Sequence, residues 1–164
     1  MDIRDVRPEE HEALGALTIA AYRTMGDVLT PEYEAELADV AGRSAVATVL
    51  VASEGGSLLG GVTYIPDADN PLAEHVDPHA ASIRMLAVDP AAHRQGVGRR
   101  LTEACTARAA SEGKESVILH TVDSNATGLA FYEALGFERA PELDWEPVPG
   151  LRLVGLRIEV AFGG

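Results

Sequence analysis

The stretch from Leu86 to Leu101 constrains this chain more than any other. Leu86, Ala87 and Val88 end an apolar run that opens at Ser82, and Asp89-Pro90 breaks it. A short run apolar on both faces reads as a strand buried on both sides. After His93-Arg94-Gln95, Gly96-Val97-Gly98 opens a helix whose buried face is Val97, Leu101, Ala104, Cys105 and Ala109, with Gly113 as its stop. A strand, a glycine-interrupted turn and a helix aim N–H groups at an anion. Glycine lets the backbone approach closely, the first helical N–H groups have no partner, and the helix dipole favours negative charge. Between residues 84 and 100, Arg84, Arg94, Arg99 and Arg100 face Asp89 alone, in a chain of formal net charge −13. Cations at a helix N-terminus oppose its dipole, and an anionic ligand reconciles the two; a turn with solvated arginines is the structural alternative. No Lys-Ser/Thr follows the glycines, and no G-x-G-x-x-G follows a first strand. Nucleotide hydrolysis and dinucleotide binding are therefore disfavoured.

The flanking elements alternate. Ile3–Arg7 reads as a strand, Pro8 as the first turn of a helix, and Thr30-Pro31 as the cap and first position of a second helix. Tyr33, Leu37 and Val40 share that helix's apolar face. Val46–Ser53 and Leu58–Ile65 read as strands joined by a turn over 54–57, and 66–81 as a loop. Ser116–Val122 is a further strand, 126–135 a helix stopped by Gly136, 141–150 a Pro-stiffened loop, and Leu151–Val160 the last strand, with one more short strand near Phe137. The fold class is α/β: a mixed, largely antiparallel sheet with helices on both faces. The 164 residues fit one domain, 1–164.

Composition narrows the partners. Thirteen Lys+Arg against 26 Asp+Glu argue against nucleic acid. No apolar run reaches the ~18 residues of a membrane span, and no apolar run near Met1 reads as a signal peptide, so a cytoplasmic address is expected. The single cysteine, Cys105, excludes an intrachain disulfide and cysteine-built metal sites, and no metal is expected. The first 40 residues hold ten acids, Asp27 among them, against three arginines.

A second constellation runs from Asp123 to Phe137. Asn125 and Tyr132 lie seven residues apart on the expected helix, so at ~100° per residue they share a face. Asn125 also suits an N-cap, and Tyr132 a core position. Together, His93-Arg94-Gln95-Gly96-Val97-Gly98 and Asn125-x-x-Gly128-x-x-x-Tyr132-x-x-x-Gly136-Phe137 resemble the GNAT family of N-acetyltransferases. Its patterns are R/Q-x-x-G-x-G/A and N-x-x-A-x-x-x-Y-x-x-x-G-F. His93 and Gly128 are the departures.

The resemblance implies direct transfer of acetyl from acetyl-CoA to an amine of a small molecule or peptide. It implies that strands 82–88 and 116–122 splay to admit the pantetheine arm, that Leu86, Ala87 and Val88 bond it as a strand would, and that His93, Arg94, Gln95, Gly96, Val97, Gly98 and Arg99 cradle the phosphates. Asn125 and Tyr132 would line the cofactor, with Tyr132 the acid for the departing thiolate. A phenol of pKa ~10 suits a thiolate of pKa ~8.5. Many family members carry a glutamate as base where Ser82 stands. The remaining candidates are His120, on the next strand beside the implied cleft, and Glu74, His75, Asp77 and His79 in the loop before; the residues alone do not name the base. The acidic N-terminal helices border the acceptor in the family and favour cationic amines. A homodimer is compatible with all of this. The other readings are a non-catalytic acyl-CoA-binding domain and an anion-binding domain for another phosphate ligand.

Overall fold

A computed structural model describes residues 1–25 and 29–160; Asp27 and the last four positions of the expected domain lie outside them. The chain forms two compact units, Met1–Ile65 with Arg84–Cys105, and Pro66–Ile83 with Thr106–Gly164.

In the first unit β1 (Asp2–Asp5), β2 (Thr48–Glu54) and β3 (Ser57–Ile65) run antiparallel, and β3 neighbours β4 (Ala80–Val88), whose second half belongs here. Gly55 and Gly56 make the β2–β3 turn with φ of 57° and 82°, a conformation that favours glycine at both positions. A 3₁₀ turn at Pro8–Glu10 leads into α1 (His11–Thr24). A Cβ on Gly61 would sit 2.7 Å from Leu14 of α1. One on Gly60 would sit 3.0 Å from Val97 of α4 (Val97–Ser111). Successive strand residues face opposite ways, so α1 and α4 cover opposite faces, and two glycines let both come close.

The helix expected from Pro31 through Val40 is two helices, α2 (Pro31–Ala38) and α3 (Val40–Val46). Thr30 caps α2 by accepting the Tyr33 N–H at 3.1 Å. Asp39 separates the helices, and its Oδ1 accepts the Gly42 N–H at 3.0 Å. Leu37 and Val40 are both fully buried, so the apolar spacing carries across the break and conceals it. Arg43, only 5% exposed, donates to the carbonyls of Glu36 and Leu37. It satisfies groups that the end of α2 leaves open, and burial pushes its pKa down.

In the second unit β4 pairs in parallel with β5 (Ser116–Val122), with Ala80 opposite Ser116, Ala81 opposite Val117 and Ser82 opposite Ile118. Antiparallel pairs join β5 to β8 (Leu151–Glu159), and β8 to β6 (Glu138–Arg139) and β7 (Trp145–Val148). The sheet is thus mixed and mostly antiparallel. The stretch 141–150 is not the expected loop: a 3₁₀ turn at Pro141–Leu143 precedes β7, which Gly150, at φ 86°, turns back into β8. Pro147 is tolerated there because β7 has one neighbour. Trp145 is 42% exposed and does not plug the core. Between them, α5 (Ala126–Ala134) ends as the sequence predicts, with Gly136 at φ 103° and the N–H of buried Phe137 donating to the Tyr132 carbonyl at 3.0 Å. No helix of the described residues is long and apolar enough to cross a membrane.

The N-terminal strand is clamped to the first turn by charge. Arg4 donates to both oxygens of Glu10 at 2.8 Å, and the Arg7 N–H donates to Glu10 at 2.9 Å. The Arg4 bonds above all hold the Glu10 carboxyl at about 2. A depressed carboxyl stabilises the fold above its unfolded value of ~4.3 and loses that contribution as pH falls through the folded value. Glu10→Gln should therefore cost about 1–2 kcal/mol at pH 7 by urea denaturation. The gap to wild type should close as pH drops from 5 towards 2. A gap that does not change with pH would remove charge from this clamp.

Candidate functional site

Two non-glycine residues have positive φ among the described residues, and both lie in the segment that the sequence singles out. Met85, at φ 56°, interrupts β4 three residues beyond the last β5 pair, and Arg94, at φ 67°, lies in the turn before α4. L-residues resist this conformation, and it is kept where surroundings enforce it.

Beyond Met85 the backbone of β4 divides. A Cβ on Gly60 would lie 2.5 Å from the Ala87 carbonyl, and the Asp89 N–H donates to the Leu59 carbonyl at 2.8 Å. Alternate residues of a strand direct their N–H and C=O to opposite edges. Ala87 and Asp89 therefore face β3, and the backbone groups of Leu86 and Val88 face the other edge. Ala87 is buried; Leu86 and Val88 are half-buried.

The turn itself has the form of an anion cradle. His93, Arg94, Gln95 and Gly96 are exposed. Gly96 is left-handed at φ 75°, with nothing within 4 Å of where its Cβ would be. The Arg100 N–H donates to the Gly96 carbonyl at 3.0 Å. The N–H groups of Val97, Gly98 and Arg99 precede that bond and have no helical acceptor. No acid lies in the first turn of α4. Left-handed residues in a turn bring successive N–H groups into one concavity. The side chain of Val97 is buried, so only its backbone can serve a ligand. The Gly98 carbonyl accepts the Thr102 hydroxyl at 2.8 Å, and Arg99 reaches Glu103 at 3.5 Å.

In the second unit, Asn125 is an N-cap. Its Oδ1 accepts the Gly128 N–H at 3.0 Å, and its Nδ2 donates to Thr121 Oγ1 at 3.1 Å. Tyr132 is half-buried, edge-on to Phe131 at 5.1 Å and Phe137 at 5.6 Å between centroids. Of the candidate bases, Asp77 accepts the His79 N–H at 2.9 Å within a turn. His75 is 8% exposed; its Nδ1 accepts the Asp77 N–H at 3.0 Å, and burial lowers its pKa. His120 is half-buried, with Nε2 at 2.8 Å from the Leu143 carbonyl. Ser82 is buried. The sequence offered no sign of the Met85 kink or of the His120–Leu143 bond, because each depends on non-local packing.

Comparison with known proteins bears on the family and the fold. The profile of the Acetyltransferase (GNAT) family matches residues 12–137. The mycothiol acetyltransferase of Thermobispora bispora is 36% identical over 67 residues, 41% of this chain and 23% of that protein. The [ribosomal protein bS18]-alanine N-acetyltransferase of Escherichia coli is 40% identical over 60 residues, 37% of this chain and 40% of that one. The match thus spans about a quarter of the first relative and two fifths of the second. A Salmonella typhimurium protein solved with its cofactor acetyl-CoA has the same fold, with a TM-score of 0.68 at 19% identity over 98% of this chain and 94% of that one.

The turn's geometry gives a test with coenzyme A. Gly96→Glu puts a carboxylate at the mouth of the cradle and should abolish the rise in Tm that coenzyme A produces. The apo Tm should fall by about 2–4 °C, the effect of roughly 1 kcal/mol of left-handed strain. Gly96→Ala carries the same strain without the charge and should lower the apo Tm equally. Normal binding of coenzyme A by the Glu variant would remove this turn from the site.

Proposed function

The chain belongs to the acetyltransferase (GNAT) family, and from that premise we propose that it moves the acetyl group of acetyl-CoA directly to a primary amine of a small molecule or peptide, in the cytoplasm. One observation carries the reading: a basic turn with two left-handed residues, Arg94 and Gly96, directly precedes the open N-terminus of α4. His93, Arg94, Gln95 and Gly96, with the N–H groups of Val97, Gly98 and Arg99, fit a pyrophosphate. The outward backbone groups of Leu86 and Val88 suit the amides of a pantetheine arm; Ala87, turned to β3, supports them from behind.

Acetyl-CoA supplies an activated acyl group when bound. The chain's task is to orient it, to aim an N–H of β4 at the carbonyl where negative charge develops, and to handle protons. Tyr132 would give its hydroxyl proton to the departing sulfur. Asn125 acts here through α5: its cap sets the start of the helix that carries Tyr132 two turns on. A non-catalytic acyl-CoA-binding domain is the second reading. Its support is Ser82, a residue that cannot act as a carboxylate base, where many family members carry glutamate.

The acceptor is read from charge. Among the N-terminal acids Glu10 and Glu34 are bonded to Arg4 and Arg23, whereas Asp2, Glu9, Glu12, Glu32 and Glu36 are exposed. Such a surface favours cationic amines, with an attraction that salt screens. Thiol release should be measured with polyamines, aminoglycosides, basic peptides, alanine-initiated peptides and neutral amines. The cationic acceptors should show the lower KM, rising with salt. Equal KM values across the panel would sink the charge argument; a Tm response to coenzyme A without turnover on any amine would favour the second reading.

Tyr132→Phe tests the chemistry, because it keeps the ring against Phe131 and Phe137 and removes one hydroxyl. Single-turnover rates should fall about 10²–10⁴-fold, with coenzyme A affinity little changed, since the hydroxyl acts mainly in the transition state. Unchanged single-turnover chemistry in a stable variant would take Tyr132 out of the mechanism.

A further inference from the structure

The sheet register of the second unit places three chemistry-bearing side chains on one face. Ser82 of β4 lies opposite Ile118 of β5, and Ile118 lies opposite Arg157 of β8. His120, two residues beyond Ile118 on β5, points the same way. It is the first residue of that face beyond the last β4–β5 pair. His75, from the segment before β4, is within electrostatic reach of His120 and Arg157.

This face is polar in a way that packing alone does not explain. His75 Nε2 and Ser82 Oγ are both buried without a hydrogen-bond partner among the described residues. Buried polar groups left unpaired are costly and uncommon. The His75 ring is held in one form. Its Nδ1 accepts the Asp77 N–H, so in the neutral ring Nε2 carries the hydrogen. His120 is held in the complementary sense. Its Nε2 lies 2.8 Å from the Leu143 carbonyl, which can only accept, so Nε2 carries the hydrogen. In the neutral ring Nδ1 is then a lone pair.

Resting on the acetyltransfer reading, we propose that His120 is the general base of the reaction, taking at Nδ1 the proton that an ammonium acceptor must lose before it can attack. The protons balance. The ammonium gives one proton to His120, which returns it to solvent; this is the one net proton that acetylation of an ammonium releases. The neutral nitrogen then bonds to the acetyl carbonyl carbon as the carbon–sulfur bond breaks. The departing sulfur takes the Tyr132 proton, and the second N–H proton restores that hydroxyl.

The surroundings suit a ring that becomes a cation. The His75 Nδ1 lone pair is taken by the Asp77 N–H, and burial lowers the His75 pKa; both disfavour a second imidazolium beside the first. The Arg157 guanidinium is bonded to the Glu142 carboxylate at 2.9 Å. Lys114 is bonded to Asp67 at 3.1 Å. Ser82 and Leu143 bring no charge. The same face also accounts for the missing glutamate: with the base on β5, the β4 position can be a serine.

The test compares two nucleophiles in single-turnover assays. One is the fastest alkylamine of the acceptor panel, an ammonium at pH 7; the other is hydroxylamine, which is neutral there. His120→Gln keeps a side-chain N–H for the Leu143 carbonyl and removes the base. The alkylamine rate should fall about 10²–10⁴-fold at pH 7 and recover as pH rises from 7 to 9. The hydroxylamine rate should stay within a few-fold, and coenzyme A should raise the Tm as in wild type. Equal losses on both nucleophiles, or no loss on either, overturn the assignment. His120→Ala provides a second route, since added imidazole should recover its alkylamine rate; failure to recover in a variant of unchanged Tm also overturns it. A wild type that acetylates neither nucleophile overturns the acetyltransfer reading itself, a result visible before any variant is made.

Discussion

Met85 holds φ at 56° inside β4, and the candidate site depends on that one strained residue. For an L-residue this region costs roughly 1–2 kcal/mol, because Cβ crowds the following carbonyl. Glycine would adopt it more easily, but the Met85 side chain is buried, and the packing that holds it also holds the kink. What the strain yields is a change of backbone role along one strand. Up to Ser82, β4 pairs with β5. Past Met85, Ala87 and Asp89 keep to β3, and Leu86 and Val88 turn their N–H and C=O to the opposite edge. A regular strand would continue its ladder. Gly60 completes the arrangement, because any Cβ there would strike the Ala87 carbonyl.

The electrostatics have two scales that oppose each other. Over the whole chain the formal charge is −13, which repels a polyanion. Over the turn before α4 and the helix's first turn the sign reverses, through Arg94, Arg99 and Arg100 and through N–H groups that no helical carbonyl accepts. With a Debye length of ~8 Å at physiological salt, distant carboxylates are screened while contacts at the turn are not. Short-range, geometrically fixed donors can therefore hold a phosphate in an acidic protein.

Most of the scaffold was legible because it is local chemistry. The Thr30-Pro31 start, the Gly55-Gly56 turn, and the Gly136-Phe137 stop each follow from one or two residues with a restricted backbone or a capping side chain. The apolar stripe of α4 needed only its spacing. What was not legible is what depends on partners distant in sequence. Leu37 and Val40 keep helical spacing across a break that Asp39 makes. Pro147 and Pro149 read as loop formers, yet β7 pairs with β8 because an edge strand tolerates proline. At the site, glycines and arginines announced the turn. The Met85 kink and the ring orientation of His120 arise from contacts that no spacing encodes.

Gly128 shows how a departure from a family pattern can be structural. The pattern has alanine at this position, but a Cβ here would lie 2.3 Å from Asn125 Nδ2. Glycine costs the helix roughly 1 kcal/mol relative to alanine. With glycine there, the Asn125 amide lies over the first turn and reaches both ways, accepting from the Gly128 N–H and donating to Thr121. Thr121 adjoins His120 on β5. The strand that carries His120 therefore also anchors, through Thr121 and the Asn125 cap, the start of the helix that carries Tyr132. Both proton-handling residues of the proposed reaction are thereby referred to one strand. That arrangement suits a chemistry whose proton acceptor and proton donor must keep a constant separation.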